Sequence, residues 1–433
     1  MRTGLLAAVA AGVAPSAATG GVLDLVPEVE VGGTYETNPR FLPDCDQGLP
    51  ANRCGNQYVM GTFLDARVRG SWRTPDSEIS LTPRVRDWNY LESNKDLNNN
   101  DIYVDGSASR RFQRAQAALL GLYSDTLIRQ QVFESPTPTD PDGPPPDIGG
   151  AGQVADDGAT QRRWLARPTF SYKVSERNEL GVQYEYSEVT FDQGANPNFF
   201  DFDSQSIDLS LTHSLGARAA LRAGVYGSTF DANNADRALA IQQFSNTTDS
   251  YGVNASYEFA YSETISVTAQ LGTARNSVTV ETPFQGSVST SDTTLLGNLG
   301  IRQRSEKTVL NVDIGRSQVP RSDGRQITQD QIRIYVDRKI TGQLNGRIGL
   351  IALDQSGIGD FDRFDQTYYA VDLSGAYRIA RDWTVQTTYR FQTNDSRFQS
   401  VLNLGQNPTV SDVEQANRAL FVSVVYRGVG IRR

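Results

Sequence analysis

Beyond its first twenty or so residues the chain alternates apolar and polar positions with a period of two, in runs longer than the strands of soluble sheets, and no helical period interrupts them. In one such run Met60, Thr62, Leu64, Ala66, Val68 and Trp72 share a face, and Gly61, Phe63, Asp65, Arg67, Arg69 and Ser71 share the other. Ile207, Leu209 and Leu211 likewise oppose Asp208, Ser210 and Thr212, and Ile332, Ile334 and Val336 oppose Arg333, Tyr335 and Asp337. Tyr369, Val371, Leu373 and Tyr377 oppose Asp372, Ser374 and Arg378. Each run reads as a β-strand with one apolar and one charged face. A soluble sandwich and a transmembrane barrel both use such strands, so the connections between them decide.

The connections alternate in length. Short, turn-like links fall at residues 73–76, 111–114, 175–178, 215–217, 262–263, 305–307, 340–342 and 380–382. Between them lie longer stretches at about 39–57, 92–100, 129–160, 193–201, 232–247, 278–287, 319–326, 355–365 and 396–415. Short turns on one side and long loops on the other are the asymmetry of an outer-membrane barrel, with the turns periplasmic and the loops extracellular. The pattern predicts an all-β, antiparallel transmembrane barrel of about 18 strands, with 16 as the alternative count and both termini periplasmic. Eighteen tilted strands imply a diameter of roughly 36 Å, wide enough for an aqueous lumen. Aromatic residues near strand ends fit an interfacial girdle: Trp72, Trp88, Tyr90, Tyr123, Trp164, Tyr257, Tyr261, Tyr377, Trp383, Tyr389 and Tyr426.

Composition narrows the class further. No run of 18 apolar residues follows the N-terminus, which excludes a helical membrane bundle. Eighteen Tyr, 18 Phe and 4 Trp are too much aromatic surface for a disordered chain. The formal charge of −9 excludes the basic face of a nucleic-acid-binding protein. Residues 1–18 read as a secretory signal peptide: Met1-Arg2 is a positive start, Leu5 to Val13 an apolar core, and Ser16, Ala17 and Ala18 a small-residue cleavage site. Residues 19–433 then form a single barrel domain. Its first strand opens a few residues past the cleavage site, which leaves no N-terminal plug and argues against a TonB-type receptor. Cys45 and Cys54 lie close together in a turn-rich stretch and, in an oxidising compartment, are expected to form a disulfide.

Arginine carries the candidate chemistry. Of the 41 basic residues only Lys95, Lys173, Lys307 and Lys339 are lysines. Arg presents a planar fork that holds carboxylate or sulfate better than Lys does. Strand parity puts Arg67, Arg69, Arg84, Arg86, Arg333, Tyr335, Arg347, Arg378 and Arg390 on inward faces as lumen-lining candidates. The turn at Pro75 brings Asp65 near Arg84, and the turn after Ile379 sets Arg390 opposite Asp372. A three-residue hairpin at residues 340–342 would set Arg347 opposite Tyr335. Rings of Arg select anions, whereas interleaved Asp and Glu would turn the same residues into salt-bridge ladders that stiffen the wall.

Catalysis has little to build on. The only histidine, His213, lies at a strand end with Thr212 and Ser214 on the opposite face, so it reads as a surface or girdle residue, and no nucleophile–base pair presents itself. Two thiols without further ligands do not fill a metal site, and no cofactor motif is present. Residues 136–146, rich in Pro and Asp, form a stiff segment of the longest loop, 129–160.

Gly32-Gly33-Thr34-Tyr35-Glu36-Thr37-Asn38-Pro39 resembles the opening of outer-membrane β-barrel porin-like proteins of exopolysaccharide and PEP-CTERM-type export systems. The segments around Pro83 to Arg86, Tyr90, Leu97-Asn98 and Asp101, and Asp125 to Leu127, are similar to them too. That resemblance covers the first third of the chain by motif and the remainder by architecture, and transfers no catalytic residue. It implies a barrel linked to polysaccharide passage. The expected partners are the outer-membrane bilayer, the barrel-assembly machinery, an anionic polysaccharide and a periplasmic export component. The expectation is a passive channel for an anionic exopolysaccharide or small anions through an Arg-rich lumen. The alternative is a non-conducting structural or surface-binding barrel that acts through its extracellular loops.

Overall fold

The computed structural model describes residues 21–38, 58–91, 97–127, 160–192, 200–233, 245–282, 286–321, 324–358, 362–400 and 410–432. The signal-peptide reading of residues 1–18, the Cys45–Cys54 pairing and nearly all of the loop at 129–160 lie outside the described residues.

The described residues form one closed antiparallel barrel of 18 long strands. In chain order these are β1 (Val22–Glu36), β2 (Val59–Arg73), β3 (Ser77–Tyr90), β4 (Asn99–Arg111), β5 (Ala115–Leu127) and β6 (Thr160–Lys173). There follow β7 (Asn178–Phe191), β8 (Asp201–Gly216), β9 (Ala219–Asn233), β10 (Ser245–Ala260), β11 (Ile265–Thr282) and β12 (Gly286–Arg304). The last six are β13 (Thr308–Pro320), β14 (Gln326–Lys339), β15 (Leu344–Gly357), β16 (Asp362–Arg378), β17 (Trp383–Ser400) and β18 (Val410–Arg427). Every strand pairs with its neighbours in sequence, and β18 closes on β1 from Glu28↔Arg427 to Glu36↔Ala419. A two-residue continuation, Ile431–Arg432, adds to the start of β1. Pairing of β18 with β1 removes the two terminal sheet edges, which lets a sheet cross a bilayer.

Parity sorts the two faces. Val29, Val31, Leu64, Val68, Ile207, Leu209, Leu211, Ile332, Ile348, Leu350, Leu373 and Val422 are exposed on the outer face, a continuous apolar belt. Polar side chains such as Glu28, Asp65, Asp372, Arg390 and Gln392 are buried on the inner face. An apolar exterior around a closed barrel with a charged interior defines an integral outer-membrane barrel. Trp164, Tyr257, Tyr377, Trp383, Tyr389 and Tyr426 stand exposed on this outer face, and Trp383 packs on Tyr426 with ring centroids 4.9 Å apart.

All eight predicted short turns join consecutive strands at one end of the barrel. The strands run further into several expected loops, as β15 and β16 do at 355–357 and 362–365 and β17 and β18 at 396–400 and 410–415. Strands β11 and β12 continue through residues 278–282 and 286–287, which the sequence presents as loop. Outside the apolar belt both faces are polar, and the Ser/Thr-rich alternation no longer distinguishes strand from loop. Trp88 and Tyr90 belong to no girdle: they face inward, on the parity of Arg84 and Arg86, and are buried.

Candidate functional site

The inner wall is knitted by carboxylates set opposite arginines. Glu28, 2% exposed, pairs in register with Arg67 on β2 and Arg427 on β18, and both guanidinium groups bond to it, Arg427 Nε at 3.2 Å. Asp65 receives Arg84 Nη2 at 2.6 Å and Arg86 Nε at 2.8 Å. Arg84 also lies over the Tyr103 ring, and Arg86 over Trp88. Asp372 and Arg390 face each other across β16 and β17, with Nε donating to Oδ1 at 2.6 Å, and both are buried. Arg167–Glu185 and Arg222–Asp208 add two more pairs at 2.6 Å.

One expected pairing is corrected. Arg347 opposes Asp337 and not Tyr335, whose partner is Gly349. The connection includes Gln343 as well as residues 340–342, and Ile340 N and Thr341 N both donate to Leu344 O, so the register shifts by two residues. The shift converts an Arg–Tyr contact into an Arg347–Asp337 ion pair. Arg333 instead donates from Nη2 to Gln331 Oε1 at 2.6 Å. Arg69 lies on the inner parity of β2, beside Arg67. Arg378 sits exposed at the short-turn rim and donates to Gly342 O at 2.7 Å. Tyr335 is buried in an inward apolar cluster with Ile351, Leu353, Tyr368 and Ala370. His213 is on the outer face, its Nδ1 2.8 Å from Asn178 Oδ1, turned away from Thr212 and Ser214.

Three inner-wall features have no counterpart in the sequence reading. The first is a ladder of neutral amides: Gln329–Gln355 at 2.8 Å, Gln366–Asn394 at 2.7 Å and Asn394–Gln415 at 3.0 Å, between β14 and β18. The second is inward apolar clusters at the long-connection end. Val59, Phe63, Trp88, Tyr90 and Leu97 form one, with Trp88 Nε1 donating to Asp101 and Tyr90 Oη to Glu36. Val189, Phe191, Phe202, Phe230 and Ala232 form another.

The third is an inward strap between β13 and β14. Its turn closes with Arg321 N donating to Arg325 O at 2.8 Å, and Gly324 adopts φ +79°, a conformation that favours glycine. Gly324 docks against the second cluster, where a Cβ would lie 3.1 Å from Phe200 and 3.2 Å from Ala232. Asn246 on β10 donates to Gly324 O at 2.8 Å, so the strap reaches past β11 and β12 along one side of the mouth. Side-chain parity could have flagged the amides and the inward aromatics; no local signal marks a strap that docks on residues far away in sequence.

No family model matches this chain, and no curated protein sequence matches it. Solved structures do align. The ferric citrate transporter FecA is 9% identical, with TM-score 0.47, covering 93% of this chain and 78% of that one. The ferric-catecholate import receptor Fiu from E. coli K12 is 10% identical, with TM-score 0.42, covering 93% and 81%. The copper transporter OprC is 10% identical, with TM-score 0.43, covering 92% and 82%. Such alignments decide nothing about this chain's substrate.

The expectation of passive anion passage is nevertheless corrected, because the wall itself opposes it. An anion-selective wall needs positive charge facing the path. Here Arg67, Arg84, Arg86, Arg347 and Arg390 are each bound to a carboxylate, and a docked strap lies inside the mouth between β10 and β13.

Proposed function

We propose that this protein is a selective outer-membrane receptor or transporter, a barrel that binds its ligand and does not leak solutes. The long connections would face outside the cell and both termini the periplasm. The observation that supports this most is the docked strap at Gly324, fastened to Asn246 and packed on Phe200 and Ala232. It occupies the long-connection end, where a diffusing solute would enter. Beneath it, paired charges and inward apolar clusters brace the interior, which suits an ordered wall better than a wetted conduit. Because such a barrel does not move solute by diffusion alone, a periplasmic partner that supplies conformational work belongs to the same reading.

Single-channel recording in planar bilayers tests it. The full-length barrel should insert without steady openings in molar salt. Steady, large, long-lived conductance from the intact protein would overturn the reading.

A further inference from the structure

The wall forks between β12 and β13. Ladder pairing joins Gly297–Arg304 to Arg316–Val309 and stops there. Beyond that point residues 286–296 pair with β11 alone, and residues 317–320 with β14 alone, among the described residues. Past the split β13 stays with β14 as far as Pro320 and then turns inward as the strap. The β11–β12 hairpin continues straight while β13 leaves it.

A cavity of about 360 Å³ lies in the fork. That volume is at the lower end of the ~300–1,000 Å³ range of ligand pockets. Its lining includes Ser317 and Gln331, of inward parity, and Gln318 and Gln326, of outward parity. It therefore passes between the strands and does not merely rest on the inner surface. Gly272, Gly297 and Gly315 make the room; a Cβ on Gly315 would lie 3.0 Å from Gly297 O. Tyr226, Asn254 and Gln270 reach it from the barrel interior.

The chemistry of the lining is specific. Its one charged residue is Arg316, which is already held by Asp330, Nε to Oδ1 at 2.6 Å. The remaining polar lining consists of neutral amides and hydroxyls. Three buried atoms there have no hydrogen-bond partner among the described residues: Tyr226 Oη, Gln318 Nε2 and Gln326 Oε1. Buried polar atoms are costly unless something completes them. Gln318 offers a donor, Gln326 an acceptor, and Tyr226 can be either. A carboxylate or sulfate supplies acceptors only and an ammonium donors only. A hydroxyl supplies both, which matches a lining of neutral amides and hydroxyls.

We propose that the β12–β13 fork is a binding site for a neutral saccharide unit. The fork opens on the outer face one step past Ile314 and Ile332, where the apolar belt ends at Arg316 and Asp330. A soluble glycan and a glycolipid headgroup therefore offer the same hydroxyl chemistry to it. The site names a ligand class for the receptor reading above and rests on that reading for its purpose, but its geometry stands alone.

Calorimetry on the purified full chain tests it in two arms. In detergent, neutral gluco-, manno- and galacto-oligosaccharides are titrated against oligogalacturonate of equal length; in nanodiscs, a neutral glycolipid is compared with phosphatidylglycerol. A neutral sugar should bind saturably in at least one arm, and the arm identifies the source. Tyr226→Phe keeps the ring, and so the packing, and should weaken that binding about tenfold, equivalent to about 1.4 kcal/mol. Gln318→Leu should weaken it similarly. No neutral-sugar binding in either arm overturns the site even if the barrel proves non-conducting, as does binding that both variants leave unchanged. Sugar binding by a barrel that conducts steadily would overturn the receptor reading and leave the site standing.

Discussion

The two halves of the wall on either side of β13–β14 are built differently. From β14 to β18 the strands are laddered along most of their length, and inward side chains bond sideways to their neighbours as Arg347–Asp337, Arg390–Asp372 and the amide ladder from Gln329 to Gln415. From β9 to β13 the inward face carries Gly224, Gly252, Gly272 and Gly315, and the β12–β13 ladder stops at Gly297. Long side chains paired across neighbouring strands brace a wall; glycines and an interrupted ladder leave room in it. One barrel thus separates bracing from open space by where it places paired long side chains and where it places glycines.

Substitution of the braced half should have the largest effect. Asp337→Asn leaves Arg347, with a side chain 2% exposed, facing a neutral amide. Stranding one partner of a buried pair costs about 3–5 kcal/mol, so the midpoint for heat-induced unfolding in detergent should fall sharply. An unchanged midpoint would mean that water reaches Arg347 and that the braced half is not dry. The strap should respond less. Gly324→Ala places a side chain at φ +79° and close to Phe200 and Ala232, for about 1–3 kcal/mol of local strain. The strap should then undock while the barrel survives, detected as openings in bilayer recordings that the parent lacks. The smallest effect, a difference in exchange rate alone, sharpens the contrast directly. Amides of β12 in residues 286–296 that point toward β13 have no ladder partner there and should exchange faster than those of β16. Equal protection would mean that the fork is closed in solution.

Much of the fold is legible in the sequence because a barrel is local. Period-two alternation and eight short turns define strands and neighbours, and hairpin parity alone brings Asp65 to Arg84 and Arg390 to Asp372. What parity does not supply is register across an irregular turn: two residues at 340–343 decide whether Arg347 meets a tyrosine or a carboxylate. Trp88 and Tyr90 were readable as inward from the parity of Arg84 and Arg86, but position near a strand end points the other way, and burial against Asp101 and Glu36 decides it. The fork and the strap are not legible at all. They depend on Gly324 meeting Phe200, Ala232 and Asn246, contacts between segments that no alternation or turn motif relates.

The central claim is that Arg67, Arg84, Arg86, Arg347 and Arg390 on the inner wall are held by carboxylates and do not serve as free positive charge. A double-mutant cycle on Arg390 and Asp372, with unfolding free energy measured in detergent for Arg390→Gln, Asp372→Asn and the double variant, tests it most directly. Each single variant should destabilise by about 3–5 kcal/mol, and the double variant by much less than their sum, because removing both charges strands neither. Additive losses, within about 0.5 kcal/mol, would show that the two groups do not hold each other and would contradict the account.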